Sequence, residues 1–347
     1  MTRFTSTTVD LPDDSEAVSD YLYERGLSDG LPVIVPTVQR VERMLSGTRR
    51  DPASSLGPMP PSNAPATVEK VAINAVLAGC KPEQLPVLIA AVDAALDPAW
   101  KLDAVQPTTM ALGPMVIVNG PVRSRADVNG GTGSLGPGWR GNATIGRALR
   151  LLLINLGGAR PGDVDRATQG FPGKYSFCFA ENEEESPWEP LHATRGFGAG
   201  ESAVTVVAVS SSTNVSDSTD DAADLLRTIT GGLTNPSTAN VMDPLSTPVL
   251  ALNALHATIL ARAGFGRVEL QDYLFEHVRL PADALSARRA HLRRSAGEDL
   301  FLIDGRIPFT NDPRNILIVV TGGMGGNHST YMQNGVYGHA ISRRVDD

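Results

Sequence analysis

Apolar positions recur at helical spacing from Ser15 to Arg25, where Val18, Tyr21 and Leu22 share a face and Gly26 supplies a stop. Gly30-Leu-Pro-Val-Ile-Val-Pro36 reads as a brief strand bounded by prolines. Thr37 then caps a helix bearing Val38, Val41, Met44 and Leu45. The proline-rich residues 51–66 predict an irregular connection. Thr67–Ala78 and Glu83–Leu96 predict two helices around the Gly79-Cys80-Lys81-Pro82 turn. Met115–Gly120 is a compact apolar strand. After a glycine-rich stretch, Asn142 is the expected N-cap of a buried helix, with Ile145, Ala148, Leu149, Leu152 and Leu156 on one face and Gly157-Gly158 at its end. Lys174–Ala180 alternates Tyr175, Phe177 and Phe179 against Ser176, Cys178 and Ala180, which is a strand pattern.

The second half repeats the theme. Strands are predicted at Ala203–Val209, Pro248–Leu252 and Asn315–Thr321, and helices at Asp220–Thr230, Ala254–Ala263 and Glu269–His277. Such alternation implies an α/β protein: layered mixed sheets flanked by helices, with glycine-rich loops at strand ends. No short-period repeat is present. Two lobes are the expected division, an N-terminal α/β lobe over 1–198 and a C-terminal one over 199–347.

Composition narrows the function. The chain has 347 residues, 41% hydrophobic and 20% charged, which is ordinary for a globular protein and excludes a disordered or collagen-like chain. Its net charge of −8, with no long basic run, argues against nucleic acid as a partner. No apolar run is long enough to span a bilayer and the N-terminus lacks the apolar stretch of a secretion signal, so a cytoplasmic protein without a membrane partner is expected. Two cysteines, Cys80 and Cys178, are too few for a disulfide framework or a four-thiolate metal centre. A glycine- and proline-rich surface on an acidic α/β protein suggests a homo-oligomer.

Gly131-Thr-Gly-Ser-Leu-Gly136 matches a dinucleotide fingerprint, but the match does not join a strand directly to a helix. Pro137 follows it, and no acidic residue ends a second strand about twenty residues on, so no NAD or flavin signature survives. Gly170-Phe-Pro-Gly-Lys174 is too short for a phosphate loop. Serine-hydrolase, zincin and thioredoxin motifs are absent.

Three stretches carry candidate chemistry. In Glu181-Asn-Glu-Glu-Glu-Ser-Pro-Trp-Glu-Pro-Leu-His192 an aromatic strand opens into five glutamates and two prolines, with Trp188 as an anchor; a solvated acidic loop is the bland alternative. Glu181 and Glu183 are the candidate general acid and base, and His192 would orient them or ligate a metal. Gly136-Pro-Gly-Trp-Arg-Gly-Asn142 leads onto a buried helix whose N-terminus, with Trp139, Arg140, Asn142 and Arg147, would attract a carboxylate or phosphate; Lys174 is a further substrate-binding candidate. Thr321-Gly-Gly-Met-Gly-Gly-Asn-His-Ser329 follows the terminal strand, where Asn327 or His328 would complete a pocket. The candidate cofactor is a divalent transition metal held by Glu181, His192 and His328. Cys178 and Cys80 are alternative nucleophilic or redox thiols, against burial as small hydrophobes. His256 is expected in the core, and His277, His291 and His339 on the surface.

The stretches 29–37, 67–80, 136–147, 172–192 and 322–328 together resemble a largely uncharacterised bacterial family, found as partners or fused halves of the UGSC-motif (seleno)proteins. That resemblance implies a shared fold and pocket, thiol or selenol chemistry nearby, and a separate UGSC-type subunit as partner; the UGSC or Cys-Gly-Ser-Cys motif itself is absent here. The leading expectation is an enzyme, of lyase or hydrolase type, acting on a small anionic metabolite by carboxylate and histidine acid–base chemistry, metal-assisted or not. The alternatives are a thiol-based redox or sulfur-transfer enzyme and a non-catalytic ligand-binding subunit.

Overall fold

The computed structural model describes residues 4–237, 240, 245–287, 302–334 and 338–346; His291 lies outside them. The strands in chain order are β1 (Ser55–Met59), β2 (Ala64–Thr67), β3 (Gly113–Asn119), β4 (Cys178–Ala180), β5 (Ala203–Val209) and β6 (Ser211–Ser216), then β7 (Val249–Leu252), β8 (Arg279–Pro281), β9 (Arg306–Pro308), β10 (Leu317–Val320), β11 (His328–Gln333) and β12 (Ile341–Arg344). Two mixed four-stranded sheets dominate, in the orders β12-β5-β3-β4 and β10-β7-β11-β6. The pairs β1/β2 and β8/β9 are separate antiparallel ribbons.

Period-two alternation explains how the sheets stack. Met115, Ile117, Phe179, Val207 and Val209 of the first sheet form one buried cluster with Val249, Ala251, Leu317, Val319 and Met332 of the second, so these faces meet. The alternate residues point outward. Val116, Val118, Val204 and Val206 pack beneath the helices Val68–Ala78, Leu85–Ala95 and Arg140–Asn155, while Leu250, Leu252, Ile318 and Val320 pack beneath Ala222–Leu233, Ala254–Arg262 and Arg267–His277. The result is four layers, helix–sheet–sheet–helix. Every residue of β3, β5, β7 and β10 is buried, which is why these strands read as continuous apolar runs.

The two sheets are built alike. β3 pairs with β4 in parallel and with β5 antiparallel, and β7 pairs with β10 in parallel and with β11 antiparallel. The registers superpose: Val116 faces Cys178 and Val206, while Leu250 faces Ile318 and Tyr331. Pro114-Met-Val-Ile-Val-Asn119 thereby corresponds to Pro248-Val-Leu-Ala-Leu-Asn253. The fourth strands are exchanged. β6 follows β5 but pairs with β11, and β12 follows β11 but pairs with β5. The first sheet is thus completed by β5 and β12, both beyond residue 198.

Several segments differ from their expected form. Gly30–Pro36 is extended but joins no sheet, because Pro32 and Pro36 lack N–H donors and Ile34 N–H donates only to Leu77 O of the adjacent helix (3.2 Å). Most of residues 51–66 belongs to the β1/β2 ribbon, which runs from Ser55 to Thr67. Only Cys178–Ala180 of the predicted Lys174–Ala180 strand pairs; upstream, Ser176 Oγ instead donates to Asn142 O (3.1 Å) and Ala143 O (2.8 Å) of the neighbouring helix. That helix begins at Arg140 with Trp139 at the cap, so Asn142 is not its N-cap. The Asn142 side chain serves the glycine loop, accepting from Asn129 N–H (2.8 Å) and donating to Asn129 O (3.0 Å) and Ser134 O (2.9 Å).

Candidate functional site

A cavity of about 580 Å³ opens between the helices Val38–Leu45, Val68–Ala78 and Arg140–Asn155. Thr37 accepts from Arg40 N–H to start the first helix, and its apolar residues Val41, Met44 and Leu45 face the core, which turns Arg40 and Arg43 outward over the cavity. The Gly79-Cys80-Lys81-Pro82 turn forms another wall, reached because Gly79 ends its helix in the left-handed conformation (φ 91°). Gly47 allows the close approach: a Cβ there would lie 2.0 Å from Pro82 O. Arg140 and Arg147 complete the lining from the third helix.

Five cations and no carboxylate line this space: Arg40, Arg43, Lys81, Arg140 and Arg147. Arg147 is already neutralised by Asp29, with Nε and Nη2 at 2.7 and 2.8 Å from the two carboxylate oxygens, and it also donates to Pro32 O (2.9 Å), pinning the 29–32 loop. Arg40 donates to Val35 O (2.8 Å). Among the described residues, Arg40, Arg43, Lys81 and Arg140 are not paired with any carboxylate. In a protein of net charge −8 this concentration of positive charge attracts anions.

Cys80 lines the same cavity. Burial pushes its thiol up to about 12, outweighing a hydrogen bond with Thr144 and the charges of Arg147 and Arg140. Cys178 is buried between β4 and the helices, and desolvation raises it further. Both shifts disfavour the thiolate in this state.

The acidic exit from β4 folds inward. Glu181 is fully buried: its carboxylate accepts from Asn119 Nδ2 and Leu191 N–H, both at 2.6 Å, and pairs with Arg267 at 3.2 Å. Glu183 accepts from Gly120 N–H (2.7 Å), Asn119 Nδ2 (2.9 Å) and Arg123 (3.0 Å), and Arg123 also holds Glu184 (2.8 Å). His192 is fully buried, neither ring nitrogen has a hydrogen-bond partner among the described residues, and Nδ1 lies 3.9 Å from Glu183 Oε1. Trp188 is the anchor its sequence setting implied, donating through Nε1 to Phe265 O (2.9 Å).

The glycine turns do meet this exit. Thr321 Oγ1 donates to Gly130 O or Ala180 O (both 3.0 Å), Gly322 N–H donates to Gly130 O (2.8 Å), and Asn182 N–H donates to Val320 O (2.8 Å). Around them a second cavity of about 390 Å³ is lined by Trp139, Arg123, Asp127, Asn182 and Glu184 among others. Arg140, Glu181 and His328 are nevertheless kept apart. Arg140 lines the basic cavity, Glu181 is sealed between the layers, and His328 is exposed at the start of β11, its Nδ1 3.2 Å from Asn214. Asn327 donates to Ser218 Oγ beside it (2.9 Å). Among the described residues no three carboxylate, imidazole or thiol groups converge as a metal would require, so the set Glu181, His192 and His328 is not assembled. Lys174 is also committed elsewhere, 2.8 Å from Asp165 in a buried network with Arg150. His256 is buried between Ser329 Oγ (2.8 Å) and Asp217 O (3.0 Å), His277 is exposed and stacks on Tyr273, and His339 is half-buried.

Sequence reasoning found Arg140 and Arg147 and missed Arg40, Arg43 and Lys81. The available signal was the i, i+3 pair Arg40 and Arg43 on the polar face of an amphipathic helix, which also describes any solvated face. No helix of the described residues is long and apolar enough to cross a membrane. Comparison with protein-family models, curated proteins and solved structures finds no match to this chain.

Proposed function

We propose that the protein acts on a small, multiply charged anionic metabolite, and that the basic cavity is where the anion binds. One observation carries this reading: five cations and no carboxylate line a single cavity of about 580 Å³, and among the described residues four of the cations lack a carboxylate partner. Unpaired positive charge gathered around one cavity raises the local concentration of anions, and guanidinium groups suit the planar or tetrahedral oxygens of carboxylates and phosphates. Arg140→Gln is expected to weaken binding of a tricarboxylate such as citrate about tenfold at low salt, with a shallower salt dependence than the wild type. Isothermal titration calorimetry checks both; unchanged affinity in Arg140→Gln and Arg43→Gln would place the anion elsewhere.

A second reading keeps carboxylate and histidine acid–base chemistry, of lyase or hydrolase type, at the acidic exit. It is favoured by His192, whose two buried, unpartnered ring nitrogens lie beside Glu183. It predicts that Glu183→Gln reduces turnover of an anion the enzyme converts by about 100-fold or more while leaving its binding in the basic cavity intact. Wild-type turnover in that variant removes this second reading and leaves the first untouched. The resemblance to partners of UGSC-motif proteins adds the proposal that such a subunit acts on the anion held here, with Cys80 as the nearest thiol.

A further inference from the structure

The basic cavity has two unlike kinds of lining residue. Arg43, Lys81 and Arg140 stand on one helix, a turn and another helix, so the positive charge is spread around the space and not focused on one point. Ile34, Met44 and Val76 line the same cavity. Met44 and Val76 belong to the core cluster, but Ile34 is 49% exposed at the rim. Its backbone is fixed there by the bond from its N–H to Leu77 O (3.2 Å), so the side chain does not withdraw into the core. A lone exposed isoleucine is unremarkable; one continuous with a buried apolar wall inside a charged cavity is a surface for hydrocarbon.

These residues set different demands. A single phosphate or carboxylate carries too little charge to balance the four cations that lack a carboxylate partner among the described residues. A polyhydroxylated anion satisfies the cations but places hydroxyls against Ile34, Met44 and Val76, where they lose water and gain no hydrogen bond. Only a ligand with both characters uses the whole cavity. Building on the anion-binding reading above, we infer that the cavity takes an amphipathic polyanion: two or more carboxylate or phosphate groups carried on an aromatic or branched aliphatic body.

The test uses the full-length protein and two probes of like charge, benzene-1,2,4-tricarboxylate and citrate, titrated calorimetrically at low salt. The expected result is at least tenfold tighter binding of the aromatic probe. Ile34→Asn, at an exposed position, should remove most of that preference while leaving citrate affinity unchanged, and Arg140→Gln should weaken both probes alike. Equal or tighter binding of citrate, or a preference that survives Ile34→Asn, overturns the amphipathic ligand while leaving the anion site standing. Binding of neither probe, or affinities for both that are indifferent to Arg140→Gln, overturns the anion site itself.

Discussion

Asp165 shows how buried cations are satisfied in this protein. It is 5% exposed, lies 2.7 Å from Arg150 and 2.8 Å from Lys174, and accepts from Ala167 N–H (3.2 Å). Burial alone would raise its carboxyl, but the Lys174 hydrogen bond and the charges of Arg150 and Lys174 outweigh that and hold it below the ordinary value of 3.8. A depressed folded pKa stabilises the protein above the unfolded pKa, and that contribution is lost as pH falls through the folded value. Asp165→Asn should therefore cost about 3 kcal/mol at pH 7, because two buried cations lose their partner. The difference from wild type should shrink toward pH 3, as denaturant melts at the two pH values would show. Arg43, Lys81 and Arg140, exposed and with no carboxylate partner among the described residues, are by contrast open to an incoming anion. At this scale the sequence was half legible. Arg140 and Arg147 stood out because glycines lead onto an apolar helix. The inward turn of Glu181 was expected from the abutting apolar strand, but its ion pair was hidden, because the partner Arg267 lies on a helix of the other half of the chain.

At the scale of elements, periodicity placed the long helices and the four buried strands, since each carries its own apolar pattern. It misjudged short segments whose form is decided by neighbours. Gly30–Pro36 has strand composition but no free edge to join, and Tyr175–Phe177 leaves β4 early because Gly146 brings the Arg140–Asn155 helix against it; a Cβ there would lie 2.5 Å from Phe177 N. Gly47 plays the same part at the cavity, letting the Val38–Leu45 helix end directly against the Lys81-Pro82 turn. Gly47→Ala forces that contact apart, since backbone and not a flexible side chain opposes the new methyl. About 1–3 kcal/mol of stability should be lost in urea melts. Anion affinity should fall with it, because Arg43 and Lys81 separate.

For the whole molecule, the four layers follow from strands that are apolar on both faces, and so the α/β class was readable from the sequence. The likeness of the two sheets was not, because outside Pro114–Asn119 and Pro248–Asn253 it resides in backbone register and not in side-chain identity. The sheets also carry different chemistry at matching places. Where β4 runs out into Glu181, the corresponding position after β10 is Thr321, and both N–H groups bond back to the central strand, to Val118 O and Leu252 O. The duplicated frame therefore supports an acidic, ion-paired exit on one side and a glycine turn on the other, and the helices that frame the basic cavity cover the first sheet alone.

The exchange of β6 and β12 has a consequence for how the chain is made. β5 leaves the ribosome long before Ile341–Arg344, so one flank of the sheet beneath the cavity waits, unzipped, until nearly all of the polypeptide has emerged. Neither half can finish alone, and a nascent chain halted before residue 341 presents a bare strand ready to capture its neighbour.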